Sequence, residues 1–217
     1  MSRTVPMHRL LQGDVGSGKT AVALLALLAA LDGGCQGAFL APTELLARQH
    51  YQRLAPVIES LGARCALLTG ALPPGERREI QEGLESGEIS VAIGTHALLS
   101  EKTVFARMGL AVVDEQHRFG VLQKHVLKSK GESPHVLVMT ATPIPRTLTL
   151  TVYGDLAVSV IKELPPGRIP VETRAVPHGR TPAILSFIEE RAALGERCYW
   201  VCPLIEESET LDLAAAE

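Results

Sequence analysis

Residues 13–20 read Gly-Asp-Val-Gly-Ser-Gly-Lys-Thr and match the phosphate-loop pattern G-x-x-x-x-G-K-[ST] at every specified position. Such a loop turns its backbone N–H groups toward a polyphosphate, and side chains at the glycines would obstruct that approach. The pattern is specific only between a strand and a helix. Residues 8–12 contain two leucines, and residues 21–31 form an apolar run of helix formers that Gly33 and Gly34 close. The sequence therefore predicts a strand–loop–helix unit that binds a nucleoside triphosphate.

Every residue of this loop is a candidate ligand of the triphosphate. Lys19 is expected to reach the β- and γ-phosphates, and the hydroxyl of Thr20 to ligate the Mg²⁺ that bridges them. The positive end of the following helix dipole favours the same anion. The predicted nucleotide-binding residues are Gly13, Asp14, Val15, Gly16, Ser17, Gly18, Lys19 and Thr20.

Composition and charge indicate an ordinary globular protein. The 217 residues are 46% hydrophobic and 21% charged, and the formal net charge of −3 gives no strongly basic footprint for nucleic acid. The apolar run at residues 21–31 is well short of the roughly 20 residues that span a bilayer, so no membrane partner is expected. The N-terminus lacks the apolar stretch of a secretory signal, which predicts a cytoplasmic location.

The cysteines predict no cross-link and no structural metal. Cys35, Cys65, Cys198 and Cys202 include no C-x-x-C pair and have no accompanying histidine cluster. We interpret them as reduced thiols, most of them buried.

Short apolar runs alternate with helical patterns along the first three quarters of the chain. The alternation predicts an α/β fold with a doubly wound parallel sheet. Helices are expected at residues 43–61, with Thr43 as the N-cap, and at 74–86, between a first-turn proline and Gly87. The expected strands are residues 37–41, 65–68, 91–94, 110–113 and 136–139.

Three prolines and a glycine within residues 164–170 interrupt this alternation. We therefore expect a nucleotide-binding domain at residues 1–162, a linker at 163–170 and part of a second domain at 171–217. The second domain is predicted to open with an extended stretch at 171–176, a helix at 181–194 and a strand at 197–202. Its last segment is a helix former without a C-cap, so the chain is expected to be truncated there.

An acidic pair follows the apolar strand at residues 110–113, at the strand end where ligands bind in open α/β sheets. Asp114 is expected to hold Mg²⁺, and Glu115 to polarise the water that attacks the γ-phosphate. Acidic residues at strand ends are also common turn formers. The phosphate loop upstream favours the catalytic interpretation.

A third polar segment follows the strand at 136–139. It begins Thr140-Ala141-Thr142, and its hydroxyls are expected to report the state of the nucleotide. A threonine–proline turn with incidental hydroxyls is the alternative.

In order and type, these segments match the motifs of superfamily 2 helicases, and the chain resembles the helicase core of RecG-type branched-DNA helicases. The resemblance extends past the linker and covers nearly the whole chain. Transcription-repair coupling translocases are the nearest alternative, but they typically carry glutamate where this chain has Gln116. The matching segments are residues 13–20, 41–47, 94–96, 114–121 and 140–146.

The resemblance implies two RecA-like domains with helices on both faces of a parallel sheet, ATP with Mg²⁺ as cofactors, and forked or branched duplex DNA as the partner. It implies that Gln116, His117 and residues 140–142 couple hydrolysis to DNA movement in repair and recombination. It further implies DNA backbone contacts at Thr43, Gly94, Thr95 and His96. A hydrogen-bonded core or turn histidine is the alternative for His96.

Several family parts are expected to lie outside the chain, namely the adenine-contacting motif, the wedge domain and the second-domain arginine. A nucleotide-binding module without turnover is therefore an alternative function for the isolated chain. Another phosphate-loop ATPase is disfavoured, because neither an L-S-G-G-Q segment nor an N-K-x-D motif is present.

Overall fold

The computed structural model describes residues 6–114, 134–141, 156–163 and 171–201. The chain divides into two compact units, Met1–Arg168 and Ile169–Glu217. The division falls within the predicted linker at residues 163–170.

The described part of the first unit is built around a parallel sheet. Its neighbouring strands pair in the order β3-β4-β2-β5-β6-β1-β7, and every pairing is parallel. This arrangement confirms the predicted α/β fold with a parallel sheet. The strands are β1 His8–Gly13, β2 Gln36–Leu40, β3 Cys65–Leu68, β4 Val91–Gly94, β5 Met108–Asp114, β6 His135–Thr140 and β7 Ala157–Ile161.

Alternating side chains along the central strands build one core on each face of the sheet. In β5, Leu110 and Val112 join a cluster with apolar residues of two helices, α1 (Lys19–Asp32) and α2 (Glu44–Ser60). Ala111 and Val113 join a second cluster with Leu84 of α3 (Pro74–Ser86). Helices therefore cover both faces, as a sheet of buried parallel strands requires.

Local signals set the helix ends where the sequence predicts them. The Oγ1 of Thr43 accepts a hydrogen bond from the N–H of Leu46, 3.3 Å away, and so caps α2. Helix α3 begins at Pro74 and ends before Gly87, whose φ of 82° is a left-handed C-cap conformation. Both predictions are confirmed.

The described part of the second unit contains one α-helix, α4 (Thr181–Ala193), which confirms the predicted helix within a residue of its end. The extended stretch expected at 171–176 and the strand expected at 197–202 form no strand over residues 171–177 and 197–201. Strand formation needs a paired neighbour, which an apolar pattern does not supply by itself.

The prediction that most cysteines are buried is wrong for the described residues. Cys65 is buried, Cys35 is partly exposed and Cys198 is exposed, and all three are free thiols. Cys202 lies outside the described residues. Cys198 lies in an exposed segment after α4, a helix in which no residue is buried.

The described residues contain no helix with the length and apolar character needed to cross a membrane. Within the same ranges, no group of three or more histidine, cysteine, aspartate or glutamate side chains is placed to hold a metal ion.

Candidate nucleotide-binding site

The phosphate loop lies where the sequence predicts it, between the end of β1 at Gly13 and the start of α1 at Lys19. Gly16 and Gly18 have φ angles of 79° and 93°, in the left-handed region that glycine adopts without steric cost. Gly18 is the N-cap residue of α1 and supplies no side chain to its free N–H groups. The first turn of α1 is thus an uncovered anion site at the mouth of the loop.

Gly13 allows close packing inside the loop. A Cβ atom at this position would lie 2.5 Å from the Oγ of Ser17 and 3.1 Å from the Cβ of Ile161. The Ser17 Oγ is itself buried and lacks a hydrogen-bond partner within the described residues. An unpaired buried hydroxyl in this loop is the kind of group that a phosphate oxygen would satisfy.

Lys19 is held within the loop by the loop's own carbonyl groups. Its Nζ donates to the carbonyl oxygens of Gly13 at 2.7 Å and Asp14 at 2.8 Å. An ammonium group has three N–H donors, so one is left for another acceptor. Asp14 also accepts from the N–H of Val15 through its Oδ1, at 2.7 Å, which fixes the outer side of the loop.

The sheet topology brings the predicted metal and coupling residues beside the loop. Strand β6 lies between β1 and β5, so the carboxyl ends of three neighbouring strands carry Gly13, Thr140 and Asp114 in that order. Adjacent strands are about 4.8 Å apart, which puts β1 and β5 about 10 Å apart. Asp114 is 9% exposed and Thr140 is buried, with Ala141 directly after it. Residues predicted to bind the metal ion and to couple hydrolysis to movement thus lie together with the phosphate loop at the carboxyl ends of the strands.

A residue that the sequence patterns do not single out contacts the predicted metal ligand. The Nε2 of His50, in α2, lies 2.9 Å from the Oδ2 of Asp114. The contact is buried, with His50 8% exposed. A sequence signal existed, because His50 falls on the buried stripe of α2 together with Ala47, Leu54 and Ile58. A polar residue on such a stripe needs a polar partner.

Four of the predicted site residues lie outside the described residues. They are Glu115, Gln116, His117 and Thr142.

The predicted DNA-contacting residues lie at the same edge of the sheet, beyond β5. Thr43 follows β2 and uses its Oγ1 as the cap of α2. Gly94 ends β4, and a Cβ there would overlap the carbonyl oxygen of Leu68 in β3. Thr95 is 2% exposed and its Oγ1 has no partner among the described residues, whereas His96 is exposed at the start of a 3₁₀ turn. Of these side chains, His96 is the most exposed, Thr43 is partly exposed and Thr95 is buried.

A groove of about 890 Å³ adjoins His96. Its described lining includes Arg77, Arg78 and Lys102 and no acidic residue. The guanidinium of Arg77 donates to the carbonyl oxygens of Gly70 at 2.6 Å and Leu72 at 3.2 Å. Little in the sequence indicates this basic surface, because the cations come from two separate segments and α3 is rich in glutamate.

Residues 5–151 match the sequence model of the DEAD/DEAH box helicase family. The chain is 54% identical over 217 residues to the ATP-dependent DNA helicase RecG of Acidithiobacillus ferridurans and 50% identical over 216 residues to that of Bacillus subtilis. Each match covers 100% of this chain and 32% of the relative, so the chain spans about a third of the curated relatives it matches.

Solved structures give the same assignment of the fold. A structure of RecG bound to a three-way DNA junction is 46% identical, with a TM-score of 0.73 over 88% of this chain and 25% of that one. The helicase MrfA bound to DNA and AMPPNP shares the fold, with a TM-score of 0.63 at 20% identity, over 86% of this chain and 30% of that one. The predicted RecA-like helicase fold is confirmed.

Proposed function

The chain belongs to the DEAD/DEAH box helicase family, and on that premise we propose that it is the ATP-binding half of a motor that couples ATP hydrolysis to remodelling of branched DNA. The observation that carries this proposal is the row formed by Gly13, Thr140 and Asp114 at the carboxyl ends of three neighbouring strands. A phosphate loop and a carboxylate that can hold a metal ion are two of the parts that phosphoryl transfer to water needs, and Thr140 lies between them.

The residues of this chain have separable roles in the proposed reaction. Lys19 binds the β- and γ-phosphates with the ammonium N–H that is not hydrogen-bonded to the loop carbonyls. The backbone N–H groups in the first turn of α1, which has no side-chain cap, supply further donors. Glu115 takes a proton from the attacking water. Thr140 lies between the phosphate loop and Asp114, where it can respond to the presence of the γ-phosphate.

The donor set fits Mg²⁺. Thr20 offers a hydroxyl oxygen in the first turn of α1 and Asp114 offers a carboxylate at the end of β5, and both are the hard oxygen ligands that this ion takes. When bound, Mg²⁺ would supply a positive charge that stabilises the negative charge developing on the phosphate oxygens. Thr20 and Asp114 are the residues proposed to hold it.

We also propose that the DNA backbone runs along the other half of the same edge, past Thr43 and His96 and through the basic groove. Phosphate contacts need amides, hydroxyls and cations rather than base-stacking aromatics. The groove offers the cations of Arg77 and Lys102, and Arg78 adds a guanidinium that is paired with Glu82 at 2.7 Å. Forked duplexes and Holliday junctions are the proposed substrates, and a cytoplasmic location in DNA repair is the proposed setting.

The function is tested by ATP hydrolysis of the full-length protein without DNA, with linear duplex and with a forked duplex of equal length. We expect the fork to stimulate hydrolysis most and Lys19→Ala or Glu115→Gln to abolish it. Hydrolysis at the wild-type rate by the Glu115→Gln variant would exclude Glu115 as the base. A rate that no DNA changes would contradict the motor.

The groove is tested separately by the salt dependence of DNA binding. Removing one cation that neutralises a DNA phosphate lowers the slope of log K against log salt by about 0.9, so Lys102→Gln should give a shallower slope. Arg64→Gln is the matched control, because Arg64 pairs with Glu88 at the opposite end of β3 and β4. Equal slopes for the two variants would show that Lys102 does not contact a DNA phosphate and would contradict the proposal that DNA runs through the groove.

A further inference from the structure

His50 is a buried polar residue on a helix stripe that is otherwise apolar. Its neighbours on the stripe are Ala47, Leu54 and Ile58, and all of them are buried. An apolar residue at this position would continue the stripe but would remove the hydrogen bond to the Oδ2 of Asp114. Burying a polar side chain in such a place costs free energy unless the side chain is hydrogen-bonded.

The hydrogen bond between His50 and Asp114 has one possible direction when the carboxyl group is ionised. A carboxylate only accepts, so the Nε2 of His50 donates to Oδ2 over 2.9 Å. The other ring nitrogen, Nδ1, is buried and has no hydrogen-bond partner in the described part of the chain. Among the described residues, the bond to Asp114 is therefore the hydrogen bond that the imidazole ring makes.

Packing fixes the ring that makes the bond. The imidazole lies against the fully buried ring of Phe39 in β2, with the ring centroids 4.5 Å apart and the planes tilted by 43°. With the ring held, the bond holds one carboxylate oxygen of Asp114 and selects one rotamer of that side chain. Carboxylates that ligate metals are commonly oriented in this way by a second hydrogen bond.

We propose that His50 is a positioning residue that holds the Asp114 carboxylate so that Oδ1 faces the divalent cation of the bound nucleotide. The inference rests on the proposed role of Asp114 as a metal ligand. His50 itself touches neither the cation nor the nucleotide. Its contribution is to keep Asp114 from adopting rotamers that turn both oxygens away from the phosphate loop.

The test uses Mn²⁺ as a spectroscopic substitute for Mg²⁺ and measures its affinity for the complex of the chain with ADP by electron paramagnetic resonance. His50→Leu removes the donor, and we expect the dissociation constant for Mn²⁺ to rise by about 10- to 100-fold. His50→Gln places an amide N–H near the position of Nε2 and should restore binding to within a few-fold. His50→Asn carries the same amide on a side chain too short to reach, and should behave like His50→Leu.

Two further readouts separate positioning from a general structural role. Affinity for ADP in the presence of a chelator should be the same in all three variants, because the bond acts on the cation alone. His135→Gln is the matched control, since His135 is a partly buried, hydrogen-bonded histidine at the amino end of β6. It should leave the Mn²⁺ affinity unchanged.

Several outcomes would overturn the proposal. They are wild-type Mn²⁺ affinity in His50→Leu or His50→Asn, no difference between His50→Gln and His50→Asn, or an equal loss of ADP affinity with the chelator present. Asp114→Asn separates this failure from that of the proposed function. If that variant, too, binds Mn²⁺ as the wild type does, then Asp114 is not the metal ligand. The proposed metal site and the proposed role of His50 would then both be wrong.

Discussion

Gly94 lies so close to the neighbouring strand that a single methyl group should destabilise the sheet. In Gly94→Ala the new Cβ would fall well inside the 3.0 Å that real Cβ atoms keep, and its neighbour is the backbone carbonyl of Leu68 rather than a flexible side chain. That carbonyl also accepts a hydrogen bond from the N–H of Thr95 at 3.3 Å. Strands β3 and β4 would have to separate to accept the substitution.

The expected loss of stability is the sum of two effects, the overlap with the Leu68 carbonyl and the loss of the hydrogen bond from Thr95. Overpacking of a well-packed core costs about 1–3 kcal/mol, and loss of the backbone hydrogen bond costs about 0.5–1.5 kcal/mol more. We therefore expect Gly94→Ala to lower the free energy of unfolding by about 1.5–4.5 kcal/mol. The assay is urea denaturation followed by far-ultraviolet circular dichroism.

Gly75→Ala provides a control with the same chemical change. A Cβ at Gly75, in the first turn of α3, would meet no atom within 4 Å. Replacing glycine by alanine in a helix stabilises it by up to about 1 kcal/mol, so the two variants should shift in opposite directions. A Gly94→Ala variant as stable as the wild type would refute the packing argument and would leave DNA contact as the reason for a glycine here.

Three further perturbations test the local structure. Thr43→Ala should lower the free energy of unfolding by about 1 kcal/mol, because α2 loses its cap, while Thr43→Ser should retain it; equal urea midpoints would contradict the cap. Burial, chiefly, lowers the pKa of His135, whose Nδ1 accepts from the N–H of Met7. The unfolded chain thus binds the proton more readily than the folded chain. The contribution of His135 to the free energy of unfolding is therefore complete above the ordinary histidine pKa, and it is lost as the pH falls through the lowered pKa of the folded state. His135→Asn should flatten this acid-side loss in urea midpoints measured from neutral pH downward, and an unchanged profile would refute the assignment. Burial raises the pKa of the Cys65 thiol to about 12, so iodoacetamide should modify exposed Cys198 first and Cys65 only after unfolding, as peptide mass spectrometry would show.

Most of the first unit could be predicted from sequence because its signals are local. Strands β3 and β4 and helix α3 have the predicted bounds, since continuous apolar runs and end-capping residues mark them. Strand β7 was not predicted. Ser159 interrupts its apolar run and its valines at 158 and 160 are exposed, so the segment is recognised as a strand by its pairing with β1.

The same distinction holds for the candidate site. The phosphate loop and Asp114 follow from short motifs and their place after a strand. The contact between His50 and Asp114 joins residues 64 positions apart, and no pattern in α2 specifies its partner. Gly94 belongs to a motif in the sequence, but the close approach of Leu68 that accounts for it depends on the pairing of β3 with β4.

The central claim is that Lys19 and its loop bind a nucleoside triphosphate with Mg²⁺. The most direct test is the dissociation constant of the chain for ATP, measured by calorimetry with Mg²⁺ for the wild type and for Lys19→Ala. A hydrogen bond from a charged donor contributes about 1.5–3 kcal/mol, so the variant should bind about 10- to 150-fold more weakly. Saturable binding with a loss of that size is the predicted result. Equal affinities, or no saturable binding by the wild type, would contradict the account.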